Sequence, residues 1–258
     1  NETEIDGPLE FIQLNNIFNK MLLKIKEEKK QRNKIENNRK KLILDISHDL
    51  KNPLANILGY SDMLKNDQLK KEESKKYAEI INKNAIKSNK LLNDLFDYSK
   101  YDRDEFKMDF KLIDFTEFIK RYLIEYIDIL DSKGFKYEFN LRDKKIKTKK
   151  DIKLFKRALD NLIDNAIKYN SKGTKIYIEL RKVNEKIELI IKDNGKGIDK
   201  SIKKDIFKPF SKIKSSKNSS GLGLAITKKI ISKHNGEISL VDNSSKGACF
   251  KISLKYLR

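Results

Sequence analysis

The sequence lacks any long apolar run, which removes the simplest signal of a membrane-crossing segment. No stretch of its 258 residues approaches the roughly 18 to 20 apolar residues that span a bilayer. The start of the chain lacks the apolar core of a secretory signal, and no internal repeat stands out. We therefore expect a soluble polypeptide, long enough for one large domain or for two modest domains joined by a helix.

Cysteine is almost absent as well. Cys249 is the single thiol, which excludes an internal disulfide and a multi-cysteine metal site. It lies in a strand-like stretch, where a small core residue is a better interpretation than a reactive thiol. The composition is compatible with a cytoplasmic setting.

Acidic residues are too few to balance the basic ones. A total of 58 Lys and Arg residues against 38 Asp and Glu residues gives a formal net charge of +20, which raises the question of a nucleic acid or anionic lipid partner. The lysines are spread along the chain, although residues 142–150 and 208–217 are locally dense. We interpret the charge as a solvated surface and predict no nucleic acid partner; a dedicated polyanion site is the alternative.

The first part of the chain has a helical pattern. Its apolar residues are first spaced 3-4-3-4, as in a coiled coil, and the helix is predicted to continue to about Leu64. From Ile46 a run of fours through Leu50 and Leu54 breaks the heptad. A second amphipathic helix ends near Asp102. The opening heptad comprises Phe11, Leu14, Phe18, Met21 and Ile25, and the apolar face of the second helix comprises Tyr77, Ile81, Ala85, Ser88, Leu92 and Leu95.

These two helices predict an antiparallel hairpin. One hairpin cannot bury its apolar stripe alone, so we predict a homodimer in which two hairpins form a four-helix bundle. After residue 105 helices and strands alternate, which predicts an α/β sandwich with one mixed sheet and helices on one face. The fold class is therefore α+β. Helices are expected at 115–130, 152–169 and 224–234, and strands at 135–139, 175–180, 186–192, 237–241 and 249–254.

A histidine with the features of a nucleophile lies in the first helix. His48 and Asn52 are each two residues from the apolar stripe, about 200° around the helix axis, so they share the outward face one turn apart. Pro53 removes the amide that would bond the carbonyl of Asp49, which favours a kink. Neutral imidazole predominates at pH 7, and Asp49 can accept or orient its other ring proton. For a lone histidine, a solvated surface residue would be the alternative.

The segment around His48 resembles the H box of sensor histidine kinases, and four further boxes follow in the order of that family. The resemblance extends from about Leu42 to the C-terminus. Each box alone is a weak signal, but five in order at compatible spacing identify the family. They are SHDLKNPL at 47–54 (H box), NLIDNAIKY at 161–169 (N box), DNGKGI at 193–198 (first glycine box), FKPF at 207–210 (F box) and GLGL at 221–224 (second glycine box).

The resemblance implies a two-component sensor kinase with a HisKA-type dimerisation and phosphoacceptor domain and a Bergerat-type (GHKL) ATP-binding domain. His48 would take the γ-phosphate of ATP, with Asp49 as base or orienter, and pass it to an aspartate on the receiver domain of a response regulator. Asn52 would position a water for the reverse reaction, dephosphorylation of that regulator.

ATP and Mg²⁺ are the cofactors that the resemblance implies. Asn161 and Asn165 lie at i and i+4 on one helix face, and amide oxygens suit Mg²⁺ when the triphosphate brings the charge. The family implies that Asn165 is the direct ligand of Mg²⁺ and that Asn161 acts on the metal only indirectly. It also implies that Lys168 lies near the phosphates and Tyr169 beside the adenine. Asp193 would accept a hydrogen bond from the adenine amino group.

The glycine boxes complete the expected nucleotide site. Gly195 and Gly197 permit positive φ and close approach of the backbone to the nucleotide, and Gly221 and Gly223 open a helix whose N-terminus suits phosphate. The polar segment 208–220 has the composition of a mobile lid. Its Lys212, Lys214 and Lys217 could meet the triphosphate or be merely solvated, and the other expected nucleotide contacts are Ile198, Phe210, Leu222 and Leu224.

Asn161 separates kinase from ATPase. The implied fold is shared with gyrase-type, Hsp90-type and MutL-type ATPases, where a glutamate at the matching position activates water. An amide has no useful basicity, so the sequence predicts a site that holds ATP for an external nucleophile. A non-catalytic signalling scaffold and a basic nucleic-acid-binding module are the alternatives from other classes.

The remaining predictions concern the ends of the chain. Residues 10–21 resemble the closing helix of a HAMP linker, which would make the chain the cytoplasmic portion of a membrane-anchored receptor. A freely soluble kinase with a different input domain is the alternative. The predicted domains are 1–24 (HAMP-like helix), 25–41 (coiled coil), 42–104 (dimerisation and phosphotransfer) and 105–258 (ATP binding). His234 is excluded from chemistry because placement at a helix C-terminus, where the dipole favours a cation, explains it.

Overall fold

The computed structural model describes residues 9–66, 69–102, 105–141, 145–211, 220–242 and 246–256. The chain separates into two compact units, residues 1–81 and 82–258. Within the described ranges no helix is both long enough and apolar enough to cross a membrane.

The first unit is built from helix α1 (Leu9–Met63) and the start of helix α2 (Lys71–Asp102). Helix α1 continues through Pro53 without interruption. The rings of Tyr60 and Tyr77 pack with their centroids 5.4 Å apart, which joins the end of α1 to the first turns of α2. The predicted helical hairpin is confirmed.

Within the single chain, the most buried position near a predicted stripe residue lies one residue before it in each helix. In α1 the structure buries Pro53 and leaves Leu54 48% exposed. In α2 it buries Leu91 and leaves Leu92 49% exposed. Neighbouring positions lie about 100° apart around a helix, so spacings of three and four compete and composition alone does not decide between them.

The second unit contains a five-stranded mixed sheet with the order β2-β4-β5-β7-β6, and a separate antiparallel pair of β1 with β3. Strands β2 and β4 are parallel, and the other neighbours in the large sheet are antiparallel. The elements are β1 Lys111–Asp114, α3 Phe115–Ser132, β2 Lys136–Leu141, β3 Lys147–Lys150, α4 Ile152–Tyr169, β4 Lys175–Val183, β5 Lys186–Asp193, α5 Lys200–Lys203, α6 Gly223–Lys233, β6 Gly236–Leu240 and β7 Cys249–Lys255.

Alternating burial shows that helices cover one face of this sheet. Ile176, Ile178 and Leu180 of β4 are buried while the residues between them are half-exposed, the pattern of a strand with one covered face. Asp114 immediately precedes helix α3. Its carboxylate accepts from the amides of Thr116 and Glu117 and so caps the helix. The predicted mixed sheet is confirmed; β1, β3 and α5, each four residues long, were too short for the sequence pattern to indicate.

The C-terminal half of α2 belongs to the second compact unit, with which it makes several polar contacts. Asp94 and Asp97 both pair with the guanidinium of Arg157 in α4. Asp94 is buried and also accepts a hydrogen bond of 2.9 Å from the hydroxyl of Ser220. The ammonium of Lys229 in α6 lies 3.6 Å from the ring centroid of Tyr98.

His234 is a buried, neutral residue, and not the cation at a helix end that the sequence suggested. Its Nε2 accepts from the amide of Asp151 at 3.1 Å, and its Nδ1 lies 2.8 Å from the carbonyl of Ile230, to which it donates. Burial lowers the pKa of His234. The neutral ring therefore ties the end of α6 to the residue that caps α4, and its exclusion from chemistry stands for a different reason.

Lys150 is a buried cation for which the described residues offer no hydrogen-bond acceptor. Its side chain is 1% exposed, and the nearby hydroxyl of Thr148 on the same strand face is also without a hydrogen-bond partner there. Burial lowers the pKa of Lys150 to about 8 from 10.5. The unfolded chain thus holds this proton to higher pH than the folded protein does.

We expect Lys150→Met to stabilise the protein at pH 7 and to change how stability depends on pH. Because unfolding takes up a proton between pH 8 and 10.5, the wild-type free energy of unfolding should rise across that window, by on the order of a few kcal/mol. The variant should lack this contribution. Urea titrations at pH 7 and pH 9.5 measure it, with Lys149→Met, the exposed neighbour on the same strand, as control. Parallel pH profiles for wild type and Lys150→Met would contradict this account.

Candidate functional site

The structure presents His48 on the surface of α1. The side chain of His48 is 77% exposed, and Asn52, one turn later, is exposed too. Nδ1 of His48 lies 4.0 Å from a carboxylate oxygen of Asp49, which is longer than a hydrogen bond. Asp49 is therefore beside the imidazole without a direct hydrogen bond to it, and its role as base or orienter stays a prediction.

The N box lies on α4, where Asn161 connects two helices. Its Nδ2 donates to the carbonyl of Gly223 at 3.1 Å and lies 3.4 Å from the hydroxyl of Thr227. The first turn of α6 is thereby held against the N box. Asn165, half-buried, follows one helical turn later, so both amides lie on one side of α4. Lys168 and Tyr169 are exposed at the end of α4, with the ammonium 5.7 Å from the ring centroid.

The first glycine box surrounds a buried carboxylate. Asp193, 6% exposed, ends strand β5. Its Oδ1 accepts from the amide of Gly195 at 2.9 Å, and the amide of Ala248 lies 3.4 Å from the same oxygen. Burial raises the pKa of Asp193, and hydrogen bonds from these amides and from the side chain of Asn170 oppose that rise. A carboxylate held in this way has acceptor capacity left for a ligand donor.

Two glycines allow the backbone to close around Asp193. Gly197 has φ 75°, and a Cβ there would lie 3.1 Å from the carbonyl oxygen of Gly247. Gly247 has φ 121°, and its Cβ would lie 1.9 Å from the carbonyl oxygen of Asp193, so no other residue fits without a shift of the backbone. The sequence had indicated Gly197 but not Gly247. The only available signal was a glycine next to a strand, which is too common to single out.

Gly195 is required for a different reason from the one predicted. Its φ lies outside the left-handed region. A Cβ at Gly195 would instead lie 1.8 Å from Oδ1 of Asn170, the residue that follows α4. Asn170 was missed because a lone asparagine after a helix looks like an ordinary helix end.

A backbone hydrogen bond joins the F box to the second glycine box. The amide of Phe210 donates to the carbonyl of Gly221 at 2.9 Å, and both residues have positive φ, 58° and 68°. Leu222 is buried, whereas Leu224 and Ile198 are half-buried. No side chain in the described chain caps the N-terminus of α6, so its amides remain suited to phosphate. The lid residues Lys212, Lys214 and Lys217 lie outside the described residues.

These features fit a magnesium nucleotide. A buried carboxylate next to crowded glycines suits a planar base with an amino group, and the uncapped start of α6 suits phosphate. Among the described residues no three His, Cys, Asp or Glu side chains cluster as a metal site. The amide oxygen of Asn165 fits a Mg²⁺ ion that also takes oxygens from a bound nucleotide, and such a metal would neutralise phosphate charge.

Two family models match the chain. The model of the His Kinase A (phospho-acceptor) domain matches residues 38–104, and the model described as histidine kinase-, DNA gyrase B- and HSP90-like ATPase matches residues 150–258. The sensor histidine kinase YcbM of Bacillus subtilis is 30% identical over 229 residues, which cover 86% of this chain and 73% of YcbM. The chain belongs to the sensor histidine kinases.

Other relatives agree with this assignment. The sensor histidine kinase YvrG of Bacillus subtilis is 33% identical over 236 residues, covering 90% of this kinase and 41% of YvrG, so the chain spans less than half of that relative. The solved structure of the Acinetobacter baumannii histidine kinase AdeS superposes with a TM-score of 0.64 at 25% identity, covering 82% of this chain and 98% of that one. The histidine kinase ThkA, solved in complex with the response regulator protein TrrA, gives a TM-score of 0.70 at 24% identity, covering 92% and 67%.

Proposed function

We propose that this kinase transfers the γ-phosphate of ATP to His48 and then to an aspartate on a response regulator. The observation that carries the proposal is the 77% exposed imidazole of His48 on the surface of α1, within the matched phospho-acceptor domain. An exposed neutral imidazole can attack a phosphorus atom without first losing a proton to a strong base. Asp49 lies close enough to orient the ring once substrate is bound.

The ATP-binding assignment follows from the contacts around Asp193. Its carboxylate would accept from the adenine amino group. Asn165 would hold Mg²⁺, and Lys168 and the amides at the start of α6 would face the phosphates. Phosphoryl transfer depends on in-line geometry and on neutralising charge more than on covalent help. These residues would supply the charge neutralisation.

The amide at Asn161 favours a kinase over an ATPase. Its Nδ2 donates to the carbonyl of Gly223, so the side chain serves to hold α6. A base that activates water would need a carboxylate at such a position. Without one, bound ATP is kept for an external nucleophile.

A homodimer and a response regulator are the proposed partners. Large apolar side chains on α2 are exposed in the single chain, among them Ile86, Leu92 and Phe96, and a second copy would cover them in a four-helix bundle. The solved complex of ThkA with the response regulator protein TrrA supports a response regulator as the second partner. A membrane anchor preceding the HAMP-like start of α1 stays part of the proposal.

We expect His48→Gln to abolish acid-labile labelling by γ-labelled ATP while leaving nucleotide affinity unchanged, because the variant loses only the acceptor nitrogen.

Asn165→Ala is the complementary variant: it should lose labelling together with Mg²⁺-dependent ATP binding. Autoradiography with an acid-stability test and calorimetric titration of ATP are the measurements.

The labelling experiment, the ATP titration and a measurement of DNA affinity separate the alternatives. Substantial acid-labile labelling of His48→Gln would overturn the acceptor assignment. Absence of any labelling and of ATP binding in the wild-type chain would favour a scaffold. A DNA affinity that falls steeply with salt would favour a nucleic-acid-binding module.

We further propose that Asn52 serves dephosphorylation of the regulator by orienting a water toward its acyl phosphate. Asn52 is exposed one turn after His48 on α1, and transfer from ATP to His48 does not need that water.

Asn52→Ala should therefore autophosphorylate near normally but dephosphorylate a phosphorylated regulator at least about 10-fold more slowly, the order lost with one positioned polar group. Asn56→Ala, the same change one further turn along the helix, is the control. If both activities fell together in Asn52→Ala, or neither changed, the role would be structural.

A further inference from the structure

Asn170 connects the end of the N-box helix to the first glycine box. It is the residue that ends α4, and its Nδ2 donates to the carbonyl of Ala166 at 2.9 Å. The carbonyls in the last turn of a helix have no partner within the helix. The other end of the same amide, Oδ1, accepts from the backbone amide of Lys196 at 3.0 Å. One side chain thus joins α4 to the loop after β5.

The glycine box is built around this side chain. A Cβ on Gly195 would lie 1.8 Å from Oδ1, 2.3 Å from Cγ and 2.8 Å from Nδ2 of Asn170. Every group of the amide therefore occupies the space that a side chain at position 195 would need. Since the φ of Gly195 is not left-handed, the glycine is there to admit Asn170.

The Gly195–Lys196 segment links Asn170 to the carboxylate of Asp193. The amide of Gly195 donates to Oδ1 of Asp193 at 2.9 Å, and the amide of the next residue, Lys196, donates to Oδ1 of Asn170 at 3.0 Å. Hydrogen-bonded neighbours restrict the orientation of a buried carboxylate. Removing Asn170 would free both the loop and Asp193.

We propose that Asn170 is a positioning residue that holds Asp193 and the Gly195–Lys196 segment in the arrangement that selects adenine. This rests on the proposed function, in which Asp193 accepts a hydrogen bond from the adenine amino group. Asn170 itself does not need to touch the nucleotide. It acts by fixing the acceptor, so its loss should affect base selection more than phosphate binding.

A four-protein comparison tests this: wild type, Asn170→Ala, Gly195→Ala and the double variant. Calorimetry measures the affinity of each for Mg²⁺-ATP and for Mg²⁺-inosine triphosphate, whose base has an oxygen in place of the amino group. Asn170→Ala should lower ATP affinity about 10-fold, the cost of about one buried hydrogen bond. Its inosine triphosphate affinity should change little, so the preference between the two nucleotides collapses.

The double variant gives the sharper result. Gly195→Ala alone should lose more ATP affinity than Asn170→Ala, because its methyl group overlaps the Asn170 amide. In the double variant that overlap is gone, so ATP affinity should recover to near the level of Asn170→Ala. Gly59→Ala, which adds the same methyl group where nothing lies within 4 Å, should leave ATP affinity unchanged.

The outcomes distinguish this inference from the proposed function. If the wild-type protein does not prefer ATP over inosine triphosphate, the adenine contact of Asp193 is wrong. If the wild type prefers ATP but Asn170→Ala prefers it equally, or if the double variant is as weak as or weaker than Gly195→Ala, the positioning role of Asn170 is overturned.

Discussion

The nucleotide site depends on one buried carboxylate. Burying a charged group is costly unless it is hydrogen-bonded. The hydrogen bonds to Asp193 come mainly from two backbone amides, those of Gly195 and Ala248. Two glycines make room for the surrounding structure: Gly195 admits the side chain of Asn170, and Gly247 lets the backbone pass the carbonyl of Asp193. These glycines are therefore required by the packing around Asp193.

Two further contacts connect the second glycine box to the helices. The side chain of Asn161 donates to the carbonyl of Gly223, which holds the N box against the second glycine box. Ser220, which precedes that glycine box, bonds the buried Asp94 of α2, and Asp94 also pairs with Arg157 of the N-box helix. The C-terminal half of α2 is thus attached to the elements that would hold the phosphates, which gives a physical route by which α2 can influence nucleotide binding.

The sequence was a good guide wherever the signal was local. Hydrophobic periodicity predicted the long helices and the strands of the main sheet, and the N, F and glycine boxes predicted which segments of the second unit converge. The sequence was a poor guide where contacts between residues far apart in the chain determine the local structure. Burial lowers the pKa of His234, and its Nε2 accepts from the amide of Asp151, 83 positions earlier. Gly247 is crowded by Asp193, more than 50 positions earlier. Neither partner is visible in the local pattern.

The central claim is that Asp193 binds adenine while Asn165 holds the metal, and a crystal structure of the chain with Mg²⁺ and a non-hydrolysable ATP analogue tests it most directly. The account predicts the adenine amino nitrogen within about 3.2 Å of a carboxylate oxygen of Asp193, and Oδ1 of Asn165 about 2.1 Å from Mg²⁺. A base bound elsewhere, or a metal without Asn165 among its ligands, would contradict it.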